Sequence, residues 1–150
     1  MKSRPTAGIV VIVLGALIAL IPSVIFPVCK DMIQLTNGKA LYMRCHWTAM
    51  AELLMGVLIA IDGVLIIAFK KIEARLALNI MLFPLGLTAL LIPATIIGMC
   101  ETITMPCRIG TKPALIVVSV IIMILAIGNI VTQISLMKSE KKYKERSAFK

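Results

Sequence analysis

The stretch RPTAGIVVIVLGALIALIPSVIFPVC, residues 4–29, can be laid over RLALNIMLFPLGLTALLIPATIIGMC, residues 75–100, at a shift of 71 without a gap. Arg4 meets Arg75, Gly15 meets Gly86, Leu20-Ile21-Pro22 meets Leu91-Ile92-Pro93, and Cys29 meets Cys100. Chance matching of Ile and Leu in apolar helices is common. A proline seven residues before a cysteine in both copies is a stronger signal. A Met-x-Cys follows each stretch, Met43-Arg44-Cys45 and Met105-Pro106-Cys107, and a second apolar run follows each of those. The pattern predicts two copies of one unit, each a helix, an outer loop with two cysteines and a returning helix. Both copies run in the same direction, so a pseudo-two-fold axis along the membrane normal is expected.

The runs are long enough to be membrane spans, which need about 20 apolar residues as helix. Residues 5–28, 76–99 and 113–137 carry no charge, and residues 47–69 carry only Glu52 and Asp62. With 60% hydrophobic and 15% charged residues in 150, a soluble fold could not hide this much apolar surface. None of the runs alternates with period two, which argues against a β-barrel. The fold class read from the sequence is all-α, with four transmembrane helices over residues 1–138 (repeat one 4–70, repeat two 75–137), a short β-hairpin in the first outer loop and a basic tail at 139–150. The first run lacks a small-x-small cleavage site and is too long for a signal-peptide core, so it reads as a retained helix.

Lysine and arginine set the orientation. Lys2, Arg4, Lys70, Lys71, Arg75, Lys138, Lys141, Lys142, Lys144, Arg146 and Lys150 lie on one side, and Lys30, Lys39, Arg44, Arg108 and Lys112 on the other. The richer side is expected to be cytoplasmic, with both termini there and the cysteine loops outside a plasma membrane. The net charge of +9 then needs no nucleic-acid partner, and the tail is expected to lie against anionic lipid.

Asn37-Gly38 lies between the strand-like runs 32–36 and 39–43, the strongest short hairpin signal. A two-residue turn there pairs residues whose numbers add to 75. Cys29 and Cys45 then meet at the hairpin base, within the reach of a disulfide. Cys100 and Cys107 enclose a short segment a turn could bridge. Two structural disulfides, Cys29–Cys45 and Cys100–Cys107, suit an oxidising outer face. Two sharper readings compete. Quinone-linked four-helix oxidoreductases also carry loop cysteine pairs, but theirs is Cys-x-x-Cys, which is absent here. Cys29, Cys45, His46, Cys100 and Cys107, with Met43, Met50, Met99 and Met105, offer soft ligands for copper, zinc or haem iron, yet match no standard spacing. No cofactor is expected.

Glu52 and Asp62 are the charges inside the spans. Cys45, Glu52, Ile59 and Asp62 fall near one stripe of the second helix. A mid-bilayer acid normally faces protein or water. Asn129 and Gln133, or Asn79 and Thr88, could partner a protonated Asp62; the functional alternative is a proton or cation path. Gly8 with Gly15, and Gly56 with Gly63, offer seams for close helix approach.

Cys29, the run Cys45-His46-Trp47-Thr48-Ala49 leading into Ala51-Glu52, Met105-Pro106-Cys107 and the Gly110-to-Ala114 entry together resemble a family of small bacterial four-helix membrane proteins with paired outer-loop cysteines and no established activity. The resemblance implies an accessory subunit beside an ABC transporter permease. The reading is thus a non-enzymatic membrane subunit whose outer loop, through Ile33, Leu35, Leu41 and Tyr42, and whose helix seams contact a partner. The alternative is an outer-face thiol-redox or metal-handling protein. There is no Gly-x-x-x-x-Gly-Lys-Ser/Thr loop, so the chain itself binds no ATP by that means.

Overall fold

The computed structural model describes residues 4–25, 32–34, 40–42, 44–98 and 107–148. In chain order it has α1 (Arg4–Leu20), β1 (Met32–Gln34), β2 (Ala40–Tyr42), α2 (Arg44–Ala68), α3 (Ile72–Leu91) and α4 (Lys112–Ala148). Wide π turns extend α1 through Ile21–Ile25 and α3 through Ile92–Ile96, and another, Cys107–Thr111, leads into α4. Four segments, Thr6–Ile25, Arg44–Ala68, Ile72–Ile96 and Cys107–Ser139, are long and apolar enough to cross a membrane. This is the architecture of a multi-pass membrane protein. α4 does not stop where the tail was expected to begin; it continues as helix to Ala148, about 55 Å in all.

Pro22 and Pro93 lie in the π turns rather than in simple kinks. A proline has no N–H to close an i→i−4 bond, and a wider turn absorbs that loss. After the second π turn, the Ile97 and Gly98 amides both donate to the Ile92 carbonyl, at 3.2 and 3.3 Å. Gly98 has φ +74°, a left-handed helix end that glycine adopts without strain.

α1 packs on α2 and α3 on α4 as the closest pairs, and α2–α3 and α4–α1 complete the ring more loosely. The core, Val11, Ile18, Ile59, Leu82, Ala89, Leu115, Ile122 and Ala126, runs along its axis. In lipid there is no hydrophobic force between helices, so close van der Waals contact has to hold such a ring. The glycines provide it between α1 and α2. A Cβ on Gly56 would lie 2.6 Å from the Ala19 nitrogen and the Gly15 oxygen, and one on Gly15 2.7 Å from the Ala60 nitrogen. One on Gly63 would lie 2.9 Å from the Ile12 nitrogen and 3.1 Å from the Gly8 oxygen. The two glycine seams therefore face each other and are filled within the chain. The expectation that they receive a partner's helix is corrected on this point.

The buried positions of the two halves keep a fixed spacing. Gly8, Val11, Gly15, Ile18, Ile21 and Pro22 recur 71 residues later as Asn79, Leu82, Gly86, Ala89, Ile92 and Pro93. α2 and α4 agree less simply. Cys45 and Cys107 are 62 apart, but Thr48 and Thr111, Glu52 and Leu115, Gly56 and Ser119, and Ile59 and Ile122 are 63 apart, and all are buried. The extra residue falls in the π turn Cys107–Thr111, which carries one more residue per turn than an α-helix.

β1 and β2 pair antiparallel, with Met32 opposite Tyr42, Ile33 opposite Leu41 and Gln34 opposite Ala40. These numbers add to 74, one less than the sequence predicts. An even sum requires an odd number of residues between the strands, so the expected two-residue connection is corrected. Asn37-Gly38 and Leu35 themselves lie outside the described residues, as do Cys29, Met43, Met99, Cys100 and Met105.

Candidate functional site

Among the described residues, six polar side chains are buried in the bundle: Thr48, Glu52 and Asp62 of α2, Asn79 of α3, Thr111 before α4 and Ser119 of α4. Two are carboxyls, and among the described residues no lysine or arginine is buried with them. Their helical spacing explains the burial. Cys45, Thr48, Glu52, Gly56, Ile59, Gly63 and Ile66 repeat at three- and four-residue steps, so they form one face of α2, and Asp62 flanks it beside Gly63.

Several of these groups lack partners. Both carboxylate oxygens of Glu52, Oδ2 of Asp62, Oδ1 of Asn79 and Oγ of Ser119 are buried with no hydrogen bond. Four of these five atoms can only accept unless a carboxyl carries a proton. The interior therefore holds more unpartnered acceptors than donors. A proton or a water would supply a donor and a small cation would coordinate the oxygens directly; an acceptor left alone costs about 1–3 kcal/mol.

Asp62 and Asn79 sit at one depth. Arg75 Nε donates to the Ile66 carbonyl at 3.1 Å, which fixes the level of α3 against α2. One turn further in on these antiparallel helices brings 62 opposite 79. Asn79 spends one amide hydrogen on its own helix, Nδ2 to the Arg75 carbonyl at 2.7 Å, and leaves Oδ1 unpartnered. Asn129 and Gln133, the other suggested partners of Asp62, instead line a cavity at the end of the bundle that carries the α2–α3 link. Asp62 is not among its lining residues. Thr88, also suggested, bonds the Pro84 carbonyl of its own helix at 2.8 Å and is exposed.

At the opposite end, Thr48 Oγ1 donates to the Gly98 carbonyl at 2.8 Å and ties the start of α2 to the end of α3. Tyr42 and His46 stack with ring centroids 4.6 Å apart, and Trp47 meets His46 edge-on at 6.2 Å. Tyr42 is 43% and Trp47 59% exposed. The imidazole thus contacts both aromatic rings. No group of three metal-ligating side chains occurs among the described residues, which do not include Cys29 or Cys100.

Cys45 is buried and disulfide-bonded, to a residue outside the described ones. Cys107 is also buried. Its expected partner, Cys100, lies outside the described residues, and Cys107 opens a π turn where Cys45 lies in the first turn of a regular helix. Sequence reasoning did not single out Ser119 or Thr111. Both become visible only when α2 and α4 are aligned with the extra residue in the π turn, as the counterparts of Gly56 and Thr48.

The model of a family described as a domain of unknown function, DUF4418, matches residues 11–132, from the first buried turn of α1 to the middle of α4. The chain belongs to this family. The DUF4418 match takes in α2, α3, both cysteine-bearing segments and part of α1 and α4, and leaves out the basic residues from Lys138 onward. No curated protein and no solved structure matches the chain.

Proposed function

We propose that this DUF4418 protein is a non-enzymatic subunit of a larger membrane assembly, an accessory component of an ABC-type transporter, held at its strand-bearing end by the partner permease. One observation carries the reading. Tyr42 and Trp47 stand exposed on a platform fixed by His46, next to a ladder of three strand pairs. A two-stranded ladder is marginal alone, and exposed aromatics beside it suit a protein contact. The transporter comes from the family resemblance. The basic count favours placing this end outside the cell and the termini in the cytoplasm. The shared 71-residue spacing of buried positions supports two copies of one helical hairpin. Register supports Cys29 as the partner of Cys45, since 29 and 45 also add to 74.

In lipid, the glycine seams are already filled. Gly128 of α4, where a Cβ would meet nothing within 4 Å, is where the bundle leaves room for a partner's helix. Mild-detergent purification from native membranes tests the reading. An ABC permease should accompany the wild-type chain and be lost from Tyr42→Ala/Trp47→Ala, as from Leu35→Asp/Leu41→Asp, with the helices still inserted. A chain that purifies alone or as a pure homo-oligomer refutes it.

A second reading rests on Glu52, whose two oxygens lie unpartnered in the core. It makes the acids of α2 stations on a proton or cation path. Loss of cellular function in Glu52→Gln, at normal protein level, would favour it over the subunit reading.

A further inference from the structure

The ring of helices has two seams between its hairpins, and they are not alike. The α2–α3 seam is closed by the link at residues 69–71 and by Arg75 Nε on the Ile66 carbonyl. Its counterpart between α4 and α1 joins helices that are not consecutive in the chain and pack loosely. There the bundle opens into a cavity of about 360 Å³. Lys70 and Arg75 supply its positive charge, Asn129, Thr132 and Gln133 its neutral polar groups. Ala7, Val10, Leu125 and Leu136 form apolar walls, and no acid lines it.

The chemistry of the lining is amphipathic. Two cations and a row of hydrogen-bonding side chains sit at the level of the helix ends, where headgroups lie. The apolar residues come from the membrane-spanning parts of α1 and α4. A free anion would use only the polar half. We propose that this cavity binds the phosphodiester headgroup of an anionic phospholipid, with its glycerol and upper acyl carbons against α1 and α4. Basic pockets between transmembrane helices recognise such headgroups by charge and hydrogen bonding. The site is separate from any smearing of lipid along the tail, because its cations come from the α2–α3 link and α3.

The test uses the whole chain in nanodiscs of phosphatidylcholine containing phosphatidylglycerol, with native mass spectrometry of the lipid that stays bound on release. One phosphatidylglycerol per chain should be retained in preference to phosphatidylcholine. Lys70→Gln should weaken retention roughly fivefold, and adding Arg75→Gln should weaken it by a similar factor again. Arg75 also supports α2 through Ile66, so Ala7→Phe provides an independent arm. It narrows the cavity against its α4 wall, keeps both cations and should weaken retention at least as much as Lys70→Gln. Neutralising Lys141 and Lys142 should leave it unchanged. Retention that follows the tail lysines and ignores Lys70 and Ala7 overturns the proposal. So does equal retention of phosphatidylcholine. Displacement of the lipid by millimolar inorganic phosphate would assign the site to a free anion instead.

Discussion

Gly56→Ala adds one methyl group where the backbones of α1 and α2 meet. The new Cβ would stand 2.6 Å from both the Ala19 nitrogen and the Gly15 oxygen, where ordinary contact begins near 3.4 Å. Both neighbours are backbone atoms and cannot rotate away, so α1 and α2 must part by roughly 1 Å. A gap of that size forfeits about a quarter to a half of the dispersion energy of each contact along the seam. Overpacking of this kind costs about 1–3 kcal/mol, against a helix-propensity gain of at most ~1 kcal/mol for alanine over glycine. The expected net effect is a loss of about 1–2 kcal/mol. A denaturing-detergent titration in mixed micelles, followed by far-ultraviolet circular dichroism, measures it. Two controls grade the response. Gly86→Ala meets the Ile122 and Met123 side chains at 3.2 Å, which can yield, so it should cost less. Gly128→Ala meets nothing within 4 Å and should be neutral or mildly stabilising. The double variant Gly15→Ala/Gly56→Ala should cost less than the two single changes added together, because the first methyl already opens the gap the second needs. Equal stability of wild type and Gly56→Ala, or equal loss in Gly56→Ala and Gly128→Ala, would refute the claim that the α1–α2 glycines set the helix distance.

Glu52→Leu should stabilise the isolated bundle by about 1–3 kcal/mol, since it removes two buried acceptors without partners; a destabilised variant would show that the carboxyl is satisfied in the membrane. Asp62→Asn should be tolerated and Asp62→Leu should cost on the order of 1 kcal/mol, and a double-mutant cycle with Asn79→Leu should give a coupling near 0.6 kcal/mol if the two side chains share a hydrogen bond. Zero coupling would separate them. Cysteines placed at Gly38 and Gly110, in a background without native thiols, should react with an impermeant reagent in intact cells, and one at Glu73 should not; labelling at Glu73 alone would reverse the orientation. Non-reducing peptide mapping should find Cys45 in a disulfide with Cys29 and Cys107 in one with Cys100, and a Cys45–Cys100 peptide would instead tie the two hairpins together.

Much of the architecture was legible because the sequence marks it with unusual residues. The four runs announce themselves by hydropathy. Gly15 and Gly86, with Pro22 and Pro93, mark matching depths in α1 and α3. Asn37-Gly38 announces paired strands, but the register came out one residue off, because a dipeptide signal does not fix how many residues the connection takes. The polar interior was half legible. Glu52 and Asp62 stand out as charges in an apolar run, whereas Ser119 and Thr111 are unremarkable residues until the extra residue of the π turn is placed.

By itself, then, the sequence determined how many times the chain can cross a membrane, where each crossing starts, and that the first and third crossings share a spacing of small and kinked positions. Those properties depend on local composition, and composition is additive along a chain. Only the tertiary structure decided which face of each helix meets which neighbour. In water an amphipathic stripe would have revealed that. In lipid the core and the surroundings are equally apolar, so Ile59 inside the bundle and Ile61 outside it carry the same signal. The exceptions are residues for which contact, not polarity, is the constraint. Gly15 and Gly56 must be glycine because backbone lies where a side chain would go, and that becomes visible only when both helices are in place. The open seam between α4 and α1 is a property of the closed ring, and no stretch of the chain contains it.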